Sequence, residues 1–374
     1  MDKIIRLSKS SIGDEEIRAV VSVLKEEFLG MGSYVNNFED ELSNYFQSPA
    51  LCVVNGTSAL QLALQACGIG ADDEVLVQSL TYVASFQAIS ATGAVPVACD
   101  VSKETITIDL VDAESKITEK TKAIMPVHYS GGVGDLKSIY DFAKKHNLRV
   151  IEDAAHALGS TYNGKKIGSF GDVICFSFDG IKNITSGEGG CIVSKDKLVI
   201  EKIKDLRLLG VIKDSDKRAR GERSWEFDVK EQGWRYHMSN IMAAIGSVQL
   251  KRFPEFIAKR RSLAKNYELL LTVQDEIITL KNNYDDVVPH IFPIILPKNI
   301  NRNLLRDNLN ELNIQTGQHY FPNHKLSFYR KNIILKNTNE LCERIITLPL
   351  HIDVSFLDQE YVISQLIKLI KKSE

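Results

Sequence analysis

The chain has 374 residues, 44% hydrophobic and 25% charged, with 46 Lys and Arg against 48 Asp and Glu and a formal net charge of -2. This is the composition of a globular protein with roughly two to three domains, or one large domain and a smaller one, and the near-neutral balance excludes nucleic-acid binding by bulk electrostatics. Charges interrupt the opening MDKIIRLSKSSIGDEEIRAV, so it lacks an apolar signal core, and no later stretch reaches the roughly 18 apolar residues of a membrane helix. The six cysteines are scattered without a CxxC pair, which predicts a reduced, cytoplasmic protein with cysteines as small core residues.

DEEIRAVVSVLKEEF (14–28) has helical spacing, with Asp14 as its cap, and YVNNFEDELSNYF predicts a second helix. A rhythm of short strands and helices follows. The strand candidates are ALCVV, EVLVQS, VPVACD, KAIMPVHY, RVIEDAA, VICFSFD and GCIVS. The helix candidates between them include NGTSALQLALQACGIG, YVASFQAISATG and LKSIYDFAKKHN. Apolar strands alternating with helices predict an α/β fold whose mostly parallel sheet is covered on both faces, with ligands at the carboxyl ends of the strands. From about Ser239 a long helical pattern appears, kinked or broken at Pro254, followed by HIFPIILP, NRNLLRDNLNELN and a closing helix near DQEYVISQLIKLIKK. The predicted division is a large domain over 1–245 and a smaller α+β domain over 246–374.

Three stretches bear on chemistry. Asn55-Gly56-Thr57-Ser58 joins a strand to a helix. It is a phosphate cradle of free amides and hydroxyls, or a capping turn in which Thr57 or Ser58 satisfies orphan amides. Glu152 and Asp153 end an apolar strand. A carboxylate there pairs with a ligand cation or caps the next helix, and His156 follows three residues on. In FSFDGIKNITSGEGG, Lys182 stands between a core strand and a glycine-rich turn. It is a solvated turn lysine, or a desolvated amine with the lowered pKa of a nucleophile. Together the three meet the needs of pyridoxal 5'-phosphate (PLP): a phosphate seat, an acid for the pyridine nitrogen and an amine for the aldehyde. Tyr82 stacks on the ring or is a core aromatic. No metal site is read, and the G-x-G-x-x-G turn of a dinucleotide-binding dehydrogenase is missing.

The motifs VNGTSALQLAL, SLTYVAS, IEDAAHALGSTYNGKKIGSFGD, FSFDGIKNITSGEGG, GWRYHMSNIMAAIGSVQL, HYFPNH and LPLH occur in one order along nearly the whole chain. In this the sequence resembles the DegT/DnrJ/EryC1/StrS sugar aminotransferases, which are fold-type I PLP enzymes. The resemblance implies that Lys182 is the Schiff-base lysine and Asp153 the partner of the pyridine nitrogen. It places Gly56, Thr57, Ser58 and Ser177 at the phosphate, Tyr82 on the ring, and His156 where the family usually has glutamine. Arg235 and His237 stand where the family usually has Asn and Arg, at a position that reaches the neighbouring subunit's cofactor phosphate, so a homodimer with shared active sites is implied. His319, Tyr320 and His324 fall on the family's loop beside sugar and nucleotide. The charged run 207–225, with Lys213, Lys217, Arg218, Arg220 and Arg223, is a loop that closes over a diphosphate or a solvated one.

The implied substrates are L-glutamate, leaving as 2-oxoglutarate, and a nucleotide-linked 4-keto-6-deoxy sugar. The chain looks most similar to enzymes that make dTDP-4-amino-4,6-dideoxyglucose for surface polysaccharides such as O-antigen lipopolysaccharide. Transfer to a GDP- or UDP-linked keto sugar and a non-catalytic PLP-binding regulator are the alternatives. The retained lysine speaks against both dehydration on this scaffold and a regulator.

Overall fold

The computed structural model describes residues 3–373 apart from 215, 216, 218–221, 223, 224, 273 and 275. Helices α1 (Asp14–Lys25) and α2 (Ser33–Phe46) form where the apolar spacing predicts them. The predicted cap is corrected. Asp14 is the first helical residue, Gly13 is the cap position, and the Glu16 carboxylate accepts the Gly13 N–H at 2.8 Å. Arg252 Nη1 donates to the other Glu16 oxygen at 2.7 Å, so the residue that completes the helix start also ties α1 to a later helix.

The main sheet contains β1 (Ala50–Val53), β2 (Glu74–Gln78), β3 (Val95–Cys99), β4 (Thr121–Met125), β5 (Arg149–Asp153), β8 (Val173–Ser177) and β9 (Gly190–Ser194), in the order β1-β9-β8-β5-β4-β2-β3. Strands β6 (Thr161–Tyr162) and β7 (Lys165–Lys166) form a separate hairpin. Neighbours from β8 through β3 are parallel, whereas β9 is antiparallel to both β1 and β8. Alternate side chains leave opposite faces of a strand, and both faces are apolar. Leu76 and Ile124 join one core cluster, while Val75, Val77, Ala123 and Met125 join the other. Helices α3 (Gly56–Ala66), α4 (Val83–Ala91), α5 (Leu110–Glu114), α6 (Leu136–Lys145) and α7 (Lys197–Leu206) connect and cover the strands.

This topology fixes where chemistry can occur. Because β1, β2, β4, β5 and β8 all point the same way, their carboxyl ends lie along one edge of the sheet. Those ends lead directly into Gly56, Tyr82, Val127, Asp153 and Ser177.

Helix α8 (Asn240–Leu271) is one 32-residue helix that continues through Pro254, so the predicted break is absent. Proline removes one backbone donor and crowds the preceding turn. Burial on both sides holds the helix together here. Phe253 and Phe256 belong to the core of the large sheet, while Leu263, Ala264, Tyr267 and Leu271 belong to a second core. Residue 245 therefore lies within α8, near its start. The second core also takes in the antiparallel sheet of β10 (Ile278–Thr279), β11 (Phe292–Ile295) and β12 (Ile345–Leu348), together with α9 (Arg302–Glu311) and α11 (Phe356–Ser373). Helix α10 (Lys336–Arg344) precedes β12.

Candidate active site

A cavity of about 380 Å³ opens at the carboxyl edge of the main sheet, lined among others by Gly56, Thr57, Tyr82, Asp153, His156, Ser177, Lys182, His319 and Tyr320. Residues from five strand ends and from the chain beyond α8 thus meet in one place.

At the start of α3 the capping question resolves in favour of a third residue. Asn55 Oδ1 accepts the Ser58 N–H at 2.8 Å. Asn55 is the cap, which leaves the Thr57 hydroxyl on the cavity wall. Ser58 is buried behind this turn and does not line the cavity. A Cβ at Gly56 would sit 2.8 Å from Ser177 Cβ, so only glycine lets the two strand ends approach this closely. The pair makes a small concave wall at a helix N-terminus, the form that suits a phosphate.

The two acids at the end of β5 separate by strand alternation. Glu152 Oε2 is 2.6 Å from His128 Nε2 in the core, which places His128 away from the cavity. Asp153 faces the cavity, 5% exposed, and accepts from Ser85 Oγ at 2.7 Å and from the Ala155 N–H at 3.2 Å. Burial raises its pKa above the ordinary carboxylate value, opposed by those hydrogen bonds and by the Lys182 charge. Lys182 lies beyond β8 and reaches the same cavity, where burial lowers its pKa to about 8, against the pull of Asp153 and Asp179. It is therefore the desolvated amine and not a solvated turn lysine.

Tyr82 is 59% exposed, an aromatic on the cavity wall rather than in the core. His156 Nδ1 accepts the Ser130 N–H at 3.3 Å, and its Nε2 lies 3.0 Å from the Tyr320 hydroxyl. Burial holds His156 well below its usual pKa, so the ring is neutral and its one proton sits on Nε2. That proton points at the Tyr320 oxygen, which frees the Tyr320 O–H to donate into the cavity. His319 Nδ1 is 2.8 Å from Thr347 Oγ1, and burial lowers the His319 pKa to about 4.

Other predicted positions lie elsewhere. His324 is buried with Nδ1 2.8 Å from Ser79 Oγ, where it pins its loop to the end of β2 and does not line the cavity. Arg235 is exposed, in the segment that runs along the free edge of β1 through the Val53–His237 bridge, and does not line this cavity. Lys213 and Lys217 also lie off the cavity, and Arg218, Arg220 and Arg223 lie outside the described residues. Residues missed from sequence are Ser85, Glu188 and His290. Ser85 and Glu188 sit inside motifs that were singled out, whereas His290 is a lone histidine in an apolar run. Lys182 Nζ lies 3.4 Å from His290 Nε2.

The DegT/DnrJ/EryC1/StrS aminotransferase family matches residues 10–367. The chain is 37% identical over 373 residues to the uncharacterized protein MJ1066 of Methanocaldococcus jannaschii, covering 97% of this chain and 96% of that protein. A sugar aminotransferase of Streptococcus pneumoniae in its PLP form superposes with a TM-score of 0.91 at 30% identity, over 100% of both chains. Helicobacter pylori PseC, an aminotransferase involved in the biosynthesis of pseudoaminic acid, superposes at 0.91 and 28% identity, over 99% of this chain and 100% of that one. The chain belongs to the DegT/DnrJ/EryC1/StrS aminotransferase family. It is a PLP-dependent sugar aminotransferase of the fold-type I architecture, acting on a keto sugar and an amino donor.

The cavity fits PLP on its own chemistry. Gly56 leaves a wall that a Cβ would fill, Asp153 is a buried carboxyl at a strand end, and Lys182 is a partly buried, desolvated amine. Among the described residues no group of three or more His, Cys, Asp or Glu is placed to hold a metal, and no helix is long and apolar enough to cross a membrane.

Gly56→Ala should raise the Kd for PLP by about tenfold or more while the protein still folds, because overpacking costs about 1–3 kcal/mol and 1.4 kcal/mol is tenfold. Equilibrium titration with the cofactor measures this. The Lys182 shift has a second consequence. Its folded pKa lies below the unfolded value, so the unfolded chain binds the extra proton and cofactor-free protein gains stability as pH rises from about 8 to 10.5. Cofactor-free Lys182→Met should be the more stable at pH 7, by up to about 3 kcal/mol. Denaturant unfolding should show that gap closing across the same window.

Proposed function

We propose that the protein moves an amino group from L-glutamate to C4 of a nucleotide-linked 4-keto-6-deoxy sugar, as a homodimer. The sugar we favour is dTDP-4-keto-6-deoxyglucose, giving dTDP-4-amino-4,6-dideoxyglucose for a surface polysaccharide such as O-antigen. The observation that carries the transaminase part is the meeting of Lys182, Asp153 and the Gly56–Ser177 wall in one cavity. The similarity of the run KNITSGEGG to enzymes acting at C4 supports the sugar.

Bound PLP supplies an aldehyde that takes up the amino group and a ring that stores the electron pair released at carbon. Gly56, Thr57 and Ser177 would seat the phosphate, and Tyr82 would stack on the ring. Asp153, aimed by Ser85 and the Ala155 amide, would hold the proton on the ring nitrogen. Lys182 Nζ would take the proton from the donor Cα and later give one up, acting first as base and then as acid. An amine with a pKa near the working pH suits both directions. In the second half-reaction Lys182 makes the reverse transfer at the sugar carbon. The Tyr320 hydroxyl, oriented by His156, donates to the bound sugar or cofactor oxygen.

Purified protein with PLP should change its absorbance on adding L-glutamate, and one member of a panel of dTDP-, GDP- and UDP-linked keto sugars should restore it. No change with glutamate refutes the donor. Restoration only by a GDP- or UDP-sugar refutes the favoured acceptor. Lys182→Ala should lose turnover by at least about a thousandfold, as expected when a group that serves as nucleophile and base is removed; retained transamination would sink its role.

Arg235 is proposed to reach the partner subunit's cofactor phosphate, which its exposure beside the β1 edge permits. Arg235→Ala should then weaken PLP binding by about tenfold. Unchanged affinity in a dimeric protein would refute the shared site.

A further inference from the structure

His290 is a buried titratable residue that the steps above do not use. It is 4% exposed and lies just ahead of β11. Its backbone is pinned from two sides. The His290 N–H donates to the Ser130 carbonyl at 3.2 Å, and Arg260 Nη1 donates to the Pro289 and His290 carbonyls at 3.2 Å each. Gly131 has φ of 100°, and a Cβ there would stand 2.5 Å from the Val288 carbonyl oxygen, so glycine is what allows this segment to press against the loop after β4.

The lysine turn is tied to the same segment. Asn183, the residue after Lys182, donates from Nδ2 to the Val288 carbonyl at 3.3 Å and to the Leu158 carbonyl at 3.1 Å. Two segments far apart in sequence are thus clamped together, and the His290 ring arrives with Nε2 3.4 Å from Lys182 Nζ. Its other neighbour is the His156 ring, with centroids 4.5 Å apart.

We propose that His290 is a positioning residue for Lys182, accepting one amine N–H at Nε2 so that the nitrogen lone pair is aimed into the cavity. The inference rests on the transaminase reading but not on the identity of the sugar. A protonated Lys182 has only hydrogens to offer, so Nε2 must accept and the neutral ring keeps its proton on Nδ1. Burial, with the positive charges of Lys182 and Arg260, holds His290 well below the usual histidine range, so it stays an acceptor. An amine on a four-carbon stem has many rotamers, and one fixed hydrogen bond removes most of them before reaction.

The test uses cofactor-free full-length protein and pyridoxal phosphate. Covalent capture is followed by absorbance from about pH 6 to about pH 10, bracketing the amine's titration. In that step Lys182 Nζ adds to the aldehyde carbon, a C=N bond forms, and the aldehyde oxygen leaves as water with the two amine hydrogens. Three variants are compared. A glutamine amide places a polar atom near the position of histidine Nε2, an asparagine amide near that of Nδ1, and leucine at neither. His290→Gln should capture within about threefold of the native rate, while His290→Asn and His290→Leu should both fall by about tenfold or more, the scale of one oriented hydrogen bond to a charged group. The capture midpoint of the last two should also move to lower pH, because the ammonium loses an acceptor.

Asp153, Asp179 and Arg260 act on Lys182, and His156, His319, Arg260 and Lys182 act on His290; all remain in every variant, so a changed profile belongs to the ring. Equal rates for Gln and Asn, or a native profile in Leu, would overturn the proposal and leave a packing histidine. If Leu does not fold, the Gln–Asn contrast decides alone. If native protein captures no cofactor, the transaminase reading and this inference both fail.

Discussion

A desolvated amine and a buried carboxyl share one cavity, and the rest of the active site is arranged around that fact. Desolvation pushes Lys182 down and Asp153 up, so both move toward their neutral forms, while their mutual attraction pulls each back. Neither group would be tolerated there without partners. The carboxyl has Ser85 and the Ala155 amide, and the amine has His290. Strand order sets the separation. β5 and β8 are adjacent and parallel, with Asp153 opposite Cys175, so the acid and the turn that carries the lysine must leave the sheet side by side. The antiparallel β9 returns the chain alongside β8, and β1 beyond it again ends at the same edge, which brings the start of α3 against Ser177.

The histidines around the cavity form a second layer with a shared logic. His156, His290 and His319 are all shifted down by burial, with the Lys182 charge adding to the shift in each. A ring that stays neutral offers one donor and one acceptor in fixed positions. For His156 the backbone amide of Ser130 occupies the acceptor, so the donor is committed to Tyr320. His156 thus makes a directed hydrogen bond and adds a ring that packs 4.5 Å from that of His290.

The strands of the main sheet were legible because a buried strand needs an apolar run, and ALCV, EVLVQ, VICFS and GCIVS are mostly apolar runs of this kind. Asp153 and Lys182 were legible because a charge beside such a run demands a reason. Two kinds of feature were not. The continuity of α8 through Pro254 depends on Phe253 and Phe256 packing into one core and Tyr267 into another, and local propensity contains neither contact. His290 and the Asn55 cap were missed for opposite reasons. A lone histidine in PHIFP carries no periodic signal for a lysine more than a hundred residues earlier, whereas the turn was read with Thr57 or Ser58 as its cap and only geometry shows Asn55 in that role. Ser58 and His324 were read as site residues by resemblance, yet Ser58 is buried with its backbone N–H on Asn55, and His324 turns Nδ1 to Ser79.

The cavity also draws on both cores, which explains why the connection between them is a single helix. Lys182, Asp153 and the phosphate wall come from the large sheet, but His290, His319 and Tyr320 follow α8 in sequence. Their placement depends on how the second core is held. Tyr129, fully buried in the loop after β4, donates its hydroxyl to the His319 carbonyl, and His319 in turn bonds Thr347 on β12. Asn323 donates back to the Ser79 and Thr81 carbonyls beside Tyr82. A break at Pro254 would leave the angle between the cores to these bonds and to the contacts of Ser130 and Asn183 with the segment ahead of β11. A helix that is buried in both cores removes that freedom, and His290 meets the lysine at hydrogen-bond range because of it.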